Sequence, residues 1–299
     1  MAYTSIDKQT AHFNTKLWVG NQTAGKAITG VGFQPDLVWI KDRTNANHHR
    51  ATDSVRGVGK GLIPSLDWAE QTEATGVTSF DSDGFTVSTN SDYNANSANM
   101  VSWNWKGGGT GSSNSDGSIT STVSANTTAG FSVVKYTGAG GNSTVGHGLG
   151  VKPKIIIIKR LDSANGWIMY NEVLGHSKYM ILNTNAVEAS NSTFFNATSP
   201  TSSVFTVGND AGVNGGSNTY VAYCFAEKIG FSRFGHYKGN ASSDGVFVYT
   251  GFKPSWLMIK RTNSSENWHI FDIKRNPQYP TSSSYGGMAT RLMANLNNS

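Results

Sequence analysis

Two tryptophans stand directly after loops that are rich in polar residues. Trp167 follows "RLDSANG" and Trp268 follows "RTNSSEN", so Asn165 and Asn267 lie next to the rings in sequence. An exposed indole can stack on the face of a sugar while neighbouring amides bond the sugar hydroxyls. These four residues form the candidate glycan-contacting site, although packing of each ring in the core is the favoured alternative.

Residues that could carry out catalysis are sparse. A glycosidase needs two carboxylates on either side of a cleft. The pair that recurs in the sequence, Asp53 and Asp272, has Asn171 at the corresponding place in a third copy. Asparagine cannot ionise, so a structural hydrogen-bonding role shared by the three positions is favoured. No G-x-S-x-G motif has a convincing context either. We therefore predict no catalytic residues and no enzymatic activity.

The sequence also lacks motifs for phosphates, metals and cofactors. Glycine-rich loops at Arg56 and Gly138 depart from the P-loop pattern. His48 and His49 would face opposite sides of a strand, and no zinc-type Cys/His spacing accompanies them. The stretch "FDSDGF" at Phe80 lacks the closing glutamate of a calcium loop, which favours a polar hairpin turn. No metal ion and no cofactor is predicted.

Composition narrows the partners and the location. The 299 residues include 24 lysines and arginines against 19 acidic residues, but the basic residues form no dense cluster, so nucleic acid is not expected as a partner. The sequence shows neither a signal peptide nor an apolar stretch of membrane-spanning length, which predicts synthesis in a cytoplasm and no membrane insertion. Cys224, the single cysteine, lies among apolar residues and predicts a buried, inert thiol.

The elements that would position these side chains recur three times along the chain. The stretches "GFQPDLVWIKDR" at Gly32, "GVKPKIIIIKR" at Gly150 and "GFKPSWLMIKR" at Gly251 align at shifts of 118 (150 − 32) and 101 (251 − 150) residues. Later segments match in the same order at a shift of 120, "GFTVS" with "VFTVG" and "MVSWNW" with "YVAYCF". Matches that keep their order over about a hundred residues indicate duplication.

The duplication divides the chain into segments. We predict an N-terminal attachment segment at 1–11, a first repeat at 12–107, a flexible Gly/Ser/Thr-rich linker at 108–129, a second repeat at 130–227 and an incomplete third repeat at 228–299. The linker contains one candidate strand, 119–123. The third repeat lacks counterparts of "FTV" and "YVAYCF", so it is shortened, completed by another chain, or reduced to a cap. The chain length suggests two or three domains, each with its own core.

Each repeat consists of short apolar segments separated by turn residues, and only "LDWAEQTEA" at Leu66 has room for one or two turns of helix. This pattern predicts an all-β fold of tandem antiparallel β-sandwich repeats, jelly-roll or lectin-like. The recurring strand is apolar on both faces, with Ile155 and Ile157 opposite Ile156 and Ile158. A sandwich buries one face by itself, so a neighbouring repeat, a loop or another subunit must cover the second.

Four longer strings resemble the repeated β-domain of structural proteins from tailed-bacteriophage particles of the marine and cyanophage type, often described as tail-fibre-like. They are "ITGVGFQPDLVWIKDR", "ITSTVSANTTAGFSVVKYTG", "VGHGLGVKPKIIIIKR" and "NTYVAYCFAEKIGFSRFGHYKGN". The resemblance spans nearly the whole chain. It implies a non-enzymatic virion protein, either a tail fibre or a tail- or head-associated decoration protein.

The same resemblance implies partners. We expect a homo-oligomer, with a trimer as the favoured form, and contacts with other tail or capsid proteins in the virion. The alternative function is a carbohydrate-binding adhesin that recognises a host-surface glycan. A polysaccharide depolymerase is the third choice.

Overall fold

The computed structural model describes residues 4, 6–275 and 291–299, and they form an all-β protein. All pairs of named strands run antiparallel. The described helical segments are one 3-10 turn and three helices of four residues each: Gln9–Ala11, α1 (Ser91–Asn94), α2 (Ser192–Phe195) and α3 (Ala211–Asn214). The all-β expectation is therefore confirmed. The helix considered at Leu66 does not form, since 66–74 is mostly irregular backbone with a two-residue strand.

The first unit, residues 12–107, has two main sheets. The larger sheet has the order β1 (Phe13–Val19), β9 (Asn99–Trp105), β3 (Leu37–Asp42), β4 (Arg50–Asp53). The smaller sheet has the order β2 (Lys26–Thr29), β8 (Gly84–Val87), β7 (Val77–Asp81), and a separate pair is formed by β5 (Lys60–Gly61) and β6 (Gln71–Thr72). Apolar side chains of the two main sheets, among them Ile28, Val38, Ile40 and Phe85, share one core.

The second unit, residues 130–227, extends its larger sheet into the preceding segment. Its order is β10 (Ser112–Asn114), β11 (Ser121–Asn126), β12 (Phe131–Thr137), β19 (Thr219–Phe225), β14 (Ile155–Arg160), β15 (Ile168–Asn171), β16 (Lys178–Ile181), β17 (Ala189–Ser190). The small sheet pairs β13 (Ser143–Gly146) with β18 (Val204–Val207). The prediction of a flexible linker at 108–129 is wrong, because two strands of this sheet come from it. A strand forms near the candidate range 119–123, but it begins two residues later and is β11, Ser121–Asn126.

The third unit, residues 228–299, has one described sheet of three strands: β20 (Trp256–Ile259), β21 (His269–Asp272) and β22 (Leu292–Met293). In this sheet β20 corresponds to β3 and β14, the recurring strand. The preceding residues 233–255 form bends and irregular backbone. The N-terminal segment packs on this part of the molecule, since a Cβ on Gly230 would lie 2.9 Å from the Thr4 Cβ and Ile6 is buried.

The second apolar face of the recurring strand is covered by the other units. Ile156 and Ile158 point into the core of the second unit, whereas Ile155 and Ile157 join a cluster to which all three units contribute. We call this cluster the central core. Its main members are Leu37, Trp39, Val101 and Trp103 from the first unit, Phe131, Val133, Ile155, Ile157, Trp167 and Tyr223 from the second, and Trp268, Ile270 and Leu292 from the third.

The central core changes the expected domain organisation. Each apolar side chain that it buries stabilises the fold by about 1.5–3 kcal/mol, and none of the three units could bury these side chains alone. Of the three ways in which the second face could be covered, the structure shows the first, a neighbouring repeat. The first and second units each have a core of their own, as expected for domains, and the central core joins the units in addition.

Candidate functional site

The predicted glycan-contacting tryptophans lie at contacts between units. Trp167 is 2% exposed and its Nε1–H donates to the carbonyls of Ile63 (3.2 Å) and Leu66 (3.0 Å) in the first unit. Trp268 is 3% exposed and its Nε1–H donates to Ile181 O in the second unit (3.1 Å). Neither ring has a face open to solvent, so neither can stack on a sugar. The structure shows the alternative, packing in the core.

The two asparagines of the predicted site are half-buried beside these contacts. The backbone N–H of Asn165 donates to Asp67 O at 2.7 Å, and its carbonyl accepts from the Lys159 ammonium at 2.8 Å. The Oδ1 of Asn267 accepts from Asn295 Nδ2 at 2.7 Å. The structure therefore does not assemble the four residues into one sugar-binding surface. Asn165 contacts the first unit, whereas the side-chain hydrogen bond of Asn267 stays within the third unit.

The same position in each unit makes the same contact with the unit before it. His49 occupies in the first unit the place of Trp167 (167 − 118) and Trp268, and its Nε2 lies 3.1 Å from Met293 O of the third unit. The backbone carbonyls that accept these bonds also occupy equivalent positions. Ile181 pairs with Ile168 of β15, and Met293 pairs with His269 of β21, the residue equivalent to Ile168. The second unit therefore contacts the first, the third contacts the second, and the first contacts the third. The three units close into a ring.

A second set of hydrogen bonds runs around the ring in the same direction. Tyr223 of the second unit donates its hydroxyl to Asp53 Oδ2 at 2.8 Å, and Trp103 of the first unit donates Nε1–H to Asp272 Oδ2 at 3.0 Å. Trp103 and Tyr223 share one repeat position at the shift of 120 residues. The third such contact would end on Asn171. Among the described residues, no group of the third unit bonds to it.

The carboxylates of Asp53 and Asp272 are structural groups. Each is paired with the arginine three residues later at 2.5 Å, Arg56 in the first unit and Arg275 in the third, and all four side chains are almost completely buried. The guanidinium of Arg275 also lies 5.6 Å from the centre of the Trp103 ring. A buried carboxylate that already accepts from an arginine and an aromatic donor is not free to act on a substrate. The structural role predicted for this position is confirmed at Asp53 and Asp272.

Burial shifts the pKa of several groups near the central core. It holds the pKa of His49 well below its usual value of 6.5, and the nearby Lys41 ammonium acts in the same direction. Burial lowers the pKa of both Lys41 and Lys159 to about 8, and both occupy the same repeat position. It also raises the pKa of the Cys224 thiol to about 12. These groups lie inside the protein, and the buried thiol predicted for Cys224 is confirmed.

Other motifs singled out in the sequence form ordinary structure. His48 bonds to Ser65 Oγ at 2.9 Å, on a different side of the chain from His49. The stretch "FDSDGF" is the turn between β7 and β8, where Asp83 accepts the backbone N–H groups of Gly30 and Gly32. Within residues 4, 6–275 and 291–299, no three side chains of metal-ligand type come together. In the same part of the chain, no helix has the length and apolar composition needed to span a bilayer.

A surface cleft of about 330 Å³ lies where the second and third units meet. Its lining includes the basic residues Lys152, Lys154, Lys228 and Arg233 together with Glu227 and Tyr249. Two of the cations are paired, Lys152 with Glu172 at 2.5 Å and Arg233 with Glu227 at 3.0 Å. Tyr249 is 72% exposed. The cleft could take an anionic or hydroxyl-rich ligand with an aromatic ring at one side.

Sequence reasoning missed this cleft and the exposed residues around it. The stretch "DGVFVYTGF" contains four consecutive apolar residues, a pattern that predicts another buried strand. They are Val246, Phe247, Val248 and Tyr249. In the structure these residues are 40%, 85%, 45% and 72% exposed. The alignment of the repeats could have predicted their exposure. It gives the third unit no counterpart of "FTV", the strand that pairs with the corresponding segment in the other two units.

Comparison with known proteins adds a family. The model of the family described as "Domain of unknown function (DUF7483)" matches residues 8–295, a span that includes all three units and the segment between the first two. No curated protein and no solved structure matches the chain. A single family model that extends over the three units agrees with one shared central core. This protein belongs to the DUF7483 family.

Proposed function

We propose that the protein is a non-enzymatic structural component of a tailed-bacteriophage particle, a tail fibre or a tail- or head-associated decoration protein. The observation that carries the proposal is the closed ring of three units around the central core. Buried ring contacts join the units on all three sides, and buried ion pairs take part on two of them, so the body is rigid, as a particle component must be. The strings quoted above resemble phage structural proteins, and this resemblance supports the proposed location in a virion.

The arrangement of ionisable side chains supports a structural role over catalysis. The acidic groups that recur in the sequence lie inside the ring, where arginine and aromatic donors occupy them. A general acid or base must reach its substrate directly or through one water molecule. We therefore propose that activity resides in surfaces and not in a reaction centre.

The finer fold assignment is also part of the proposal. We propose tandem β-sandwich repeats of jelly-roll or lectin-like type. This is supported by two facing sheets around a core in the first unit, and by a large sheet that faces the β13 and β18 pair in the second. An experimental structure of the full chain tests this. Separate sandwiches with solvent between them would contradict it.

Self-association remains part of the proposal, with a changed physical basis. The recurring strands do not require another subunit, because the units of one chain cover each other. The three most exposed large apolar side chains among the described residues, Ile229, Phe247 and Tyr249, lie on the third unit. Light scattering coupled to size exclusion measures the mass in solution at micromolar concentration. A trimer or another oligomer supports the expectation, and a monodisperse monomer counts against it.

Placement in the virion is tested on purified particles. Quantitative mass spectrometry measures the copy number, and antibody labelling in negative stain locates the protein on the head or the tail. A stoichiometric component, with tens of copies for a fibre or hundreds for a decoration, supports the proposal. Presence of the protein in infected cells but not in the purified particles would contradict it.

The cleft between the second and third units favours carbohydrate binding as a second candidate. It offers four basic residues and an exposed tyrosine ring, a combination that suits an acidic glycan. A glycan array with wild type and Tyr249→Ala tests it. Tyr237→Ala is the matched control, since Tyr237 is half exposed and does not line the cleft. Binding that Tyr249→Ala reduces and Tyr237→Ala retains supports this function, and no binding to any glycan rejects it.

A further inference from the structure

The three contacts between units differ in the ring at their shared repeat position. The second and third units place Trp167 and Trp268 there, and an indole N–H does not take up a proton near neutral pH. The first unit places His49 there, and an imidazole ordinarily binds a proton at about pH 6.5. Acidification can therefore act through this ring on the contact between the first and third units, and not through the equivalent rings of the other two contacts.

Both ring nitrogens of His49 have partners that fix its protonation. Nδ1 lies 2.8 Å from Trp39 Nε1, which can only donate, so Nδ1 accepts and carries no proton. Nε2 lies 3.1 Å from the carbonyl oxygen of Met293, which can only accept, so Nε2 carries the single proton. A second proton would sit on Nδ1 and face the N–H of Trp39. The closed contact therefore requires the neutral imidazole, because protonation replaces a hydrogen bond with two opposed donors.

The surroundings of His49 also oppose a positive charge. The ring is 0% exposed and is stacked on Trp103 with 6.2 Å between the ring centres. The charged groups that act on it are cations: Lys41 of β3, Arg275 of the third unit and the adjacent His48 in its protonated form. A proton added to the closed contact would therefore join an existing group of positive charges inside the protein.

The carboxylates of the neighbouring elements are engaged elsewhere. Asp42 accepts from the backbone of the loop that follows β3, and Asp92 is paired with an arginine of β4. On the side of the third unit, Asp272 is paired with Arg275 at 2.5 Å. Residues 276–290, which lie outside the described part of the chain, include no Asp, Glu, Lys, Arg or His. None of these three carboxylates is left to neutralise an imidazolium at this contact.

The other two contacts contain bonds that acid does not remove. The backbone N–H groups of Asn165 and Glu70 donate across the contact between the first and second units at 2.7 and 2.8 Å. Those of Glu266 and Glu188 donate across the contact between the second and third units at 3.0 and 2.9 Å. Backbone amides do not titrate near neutral pH. These two contacts therefore hold neighbouring units together when the first and third units separate.

We propose that His49 is a proton-sensitive latch, whose protonation opens the ring at the contact between the first and third units while the other two contacts stay closed. In the open form the imidazole reaches water and binds a proton at about pH 6.5, whereas the closed form resists the proton. The ratio of open to closed molecules therefore rises as the pH falls, by up to about tenfold for each pH unit below about 6.5. Opening exposes the parts of the central core that the first and third units cover for each other.

Thiol labelling of the full chain measures this opening even when the open form is rare. Ala294→Cys places a thiol directly after Met293, at a position that is 0% exposed in the central core. Mass spectrometry follows its reaction with dithiodipyridine at each pH, and each rate is divided by that of the unfolded protein at the same pH. We expect the relative rate to rise about thirtyfold between about pH 7.5 and 5. Cys224, buried in the second unit's own core, should react more slowly at every pH, because its exposure requires that unit to unfold.

Matched variants assign the response to one histidine and to one contact. His49→Gln keeps an acceptor for Trp39 and a donor for Met293 but does not titrate, so it should abolish most of the rise. His147→Gln removes the other completely buried histidine, in the second unit, and should keep the rise. Leu182→Cys replaces Ala294→Cys as the probe of the contact between the second and third units, because Leu182 occupies the equivalent position after Ile181. Its labelling should show little response to acid.

Other outcomes overturn the proposal. A labelling rate at Ala294→Cys that does not rise on acidification is one, and an equal rise with His49 and with His49→Gln is another. A parallel rise at Cys224 and at Leu182→Cys would show that acid unfolds the whole molecule. If His49→Gln does not fold, Trp39→Phe takes its place, since it removes the N–H that faces Nδ1. Its closed form should tolerate the proton better and respond less than wild type, and an undiminished rise would reject the proposal.

Discussion

Single side chains at one repeat position explain why the units hold together. His49, Trp167 and Trp268 each direct a ring nitrogen to a backbone carbonyl of the unit before it. Rings at this position combine a large apolar surface with one polar atom that finds a partner. The histidine differs from the tryptophans in that it can take up a proton. One of the three contacts is therefore sensitive to pH.

Removal of one hydroxyl from the ring contacts should weaken the fold measurably. Tyr223→Phe deletes the donor to the buried Asp53 carboxylate without changing the volume of the ring. We expect the free energy of unfolding to fall by about 1–3 kcal/mol, because a buried charged acceptor loses a partner. Urea unfolding measures it. Tyr237→Phe, at a half-exposed position, should change stability by less than about 0.5 kcal/mol, and equal losses for both variants would contradict the account.

The pH dependence of stability should carry the signature of His49. Burial keeps its imidazole neutral in the folded protein, whereas the unfolded chain binds a proton near pH 6.5. Stability is therefore complete above about pH 6.5 and falls as the pH drops below it, by up to about 1.4 kcal/mol per pH unit. His49→Gln can still accept from Trp39 and donate to Met293 O, the two bonds of the native ring.

The comparison of the two proteins between about pH 7.5 and 5 isolates this histidine. Burial also lowers the pKa values of His48 and His147, so both proteins should lose stability on acidification. The loss in His49→Gln should be smaller. Identical slopes of unfolding free energy against pH would show that His49 is not buried in its neutral form.

At this scale the sequence predicted roles better than exposure. The shared position of Asp53, Asn171 and Asp272 was enough to favour a structural role, because one member cannot ionise. Core packing was the favoured alternative for Trp167 and Trp268 and is what the structure shows, but the polar loops before them did not indicate which residues bury the rings. Their burial results from residues of another unit, such as Ile63 and Ile181, and local sequence carries no information about that contact.

Strands are the elements that the sequence predicted most clearly. The four consecutive isoleucines from Ile155 to Ile158 point alternately to the two faces of the sheet, so both faces had to be covered. The structure covers both. The choice between a neighbouring repeat, a loop and another subunit could not be made from the pattern, since all three bury the same surface. The Gly/Ser/Thr-rich composition of 108–129 was typical of a linker. Alternation of polar and apolar residues in β11 proved more informative than composition.

The segment between the first and second units should behave as part of a sheet. Val123 of β11 is buried in the core of the second unit, while its neighbour Thr122 is exposed. We expect Val123→Ala to lower the free energy of unfolding by about 2 kcal/mol. Thr122→Ala is the matched control and should change it by less than about 0.5 kcal/mol. If both variants are as stable as wild type by urea unfolding, the segment is a linker after all.

The third unit illustrates how a strand depends on its partner. The sequence "GVFVYTGF" has the composition of a strand but forms none in the structure. Its counterparts β2 and β13 each pair with a strand that follows later in their own unit. A β-strand gains most of its stability from cross-strand neighbours, and among the described residues no strand pairs with 245–248, which explains the irregular backbone there.

At the scale of the whole molecule, the described units form one closed body. Three units contact each other in a cycle, and the contact from the first unit to the third joins residues that are 169 and 244 positions apart in the chain. The sequence showed that the chain contains repeated units, but it did not show that the units close into a ring. Three tandem units can stack in a line or close into a ring, and only long-range contacts distinguish the two.

The most direct test is calorimetric unfolding of the full chain beside Trp103→Phe, which removes one of the hydrogen bonds between the first and third units. The account predicts one transition in both proteins, with equal calorimetric and van't Hoff enthalpies. The whole transition should move to lower temperature by several degrees in the variant. Two or more separate transitions, of which the substitution shifts only one, would show that the units fold independently and would contradict the shared central core.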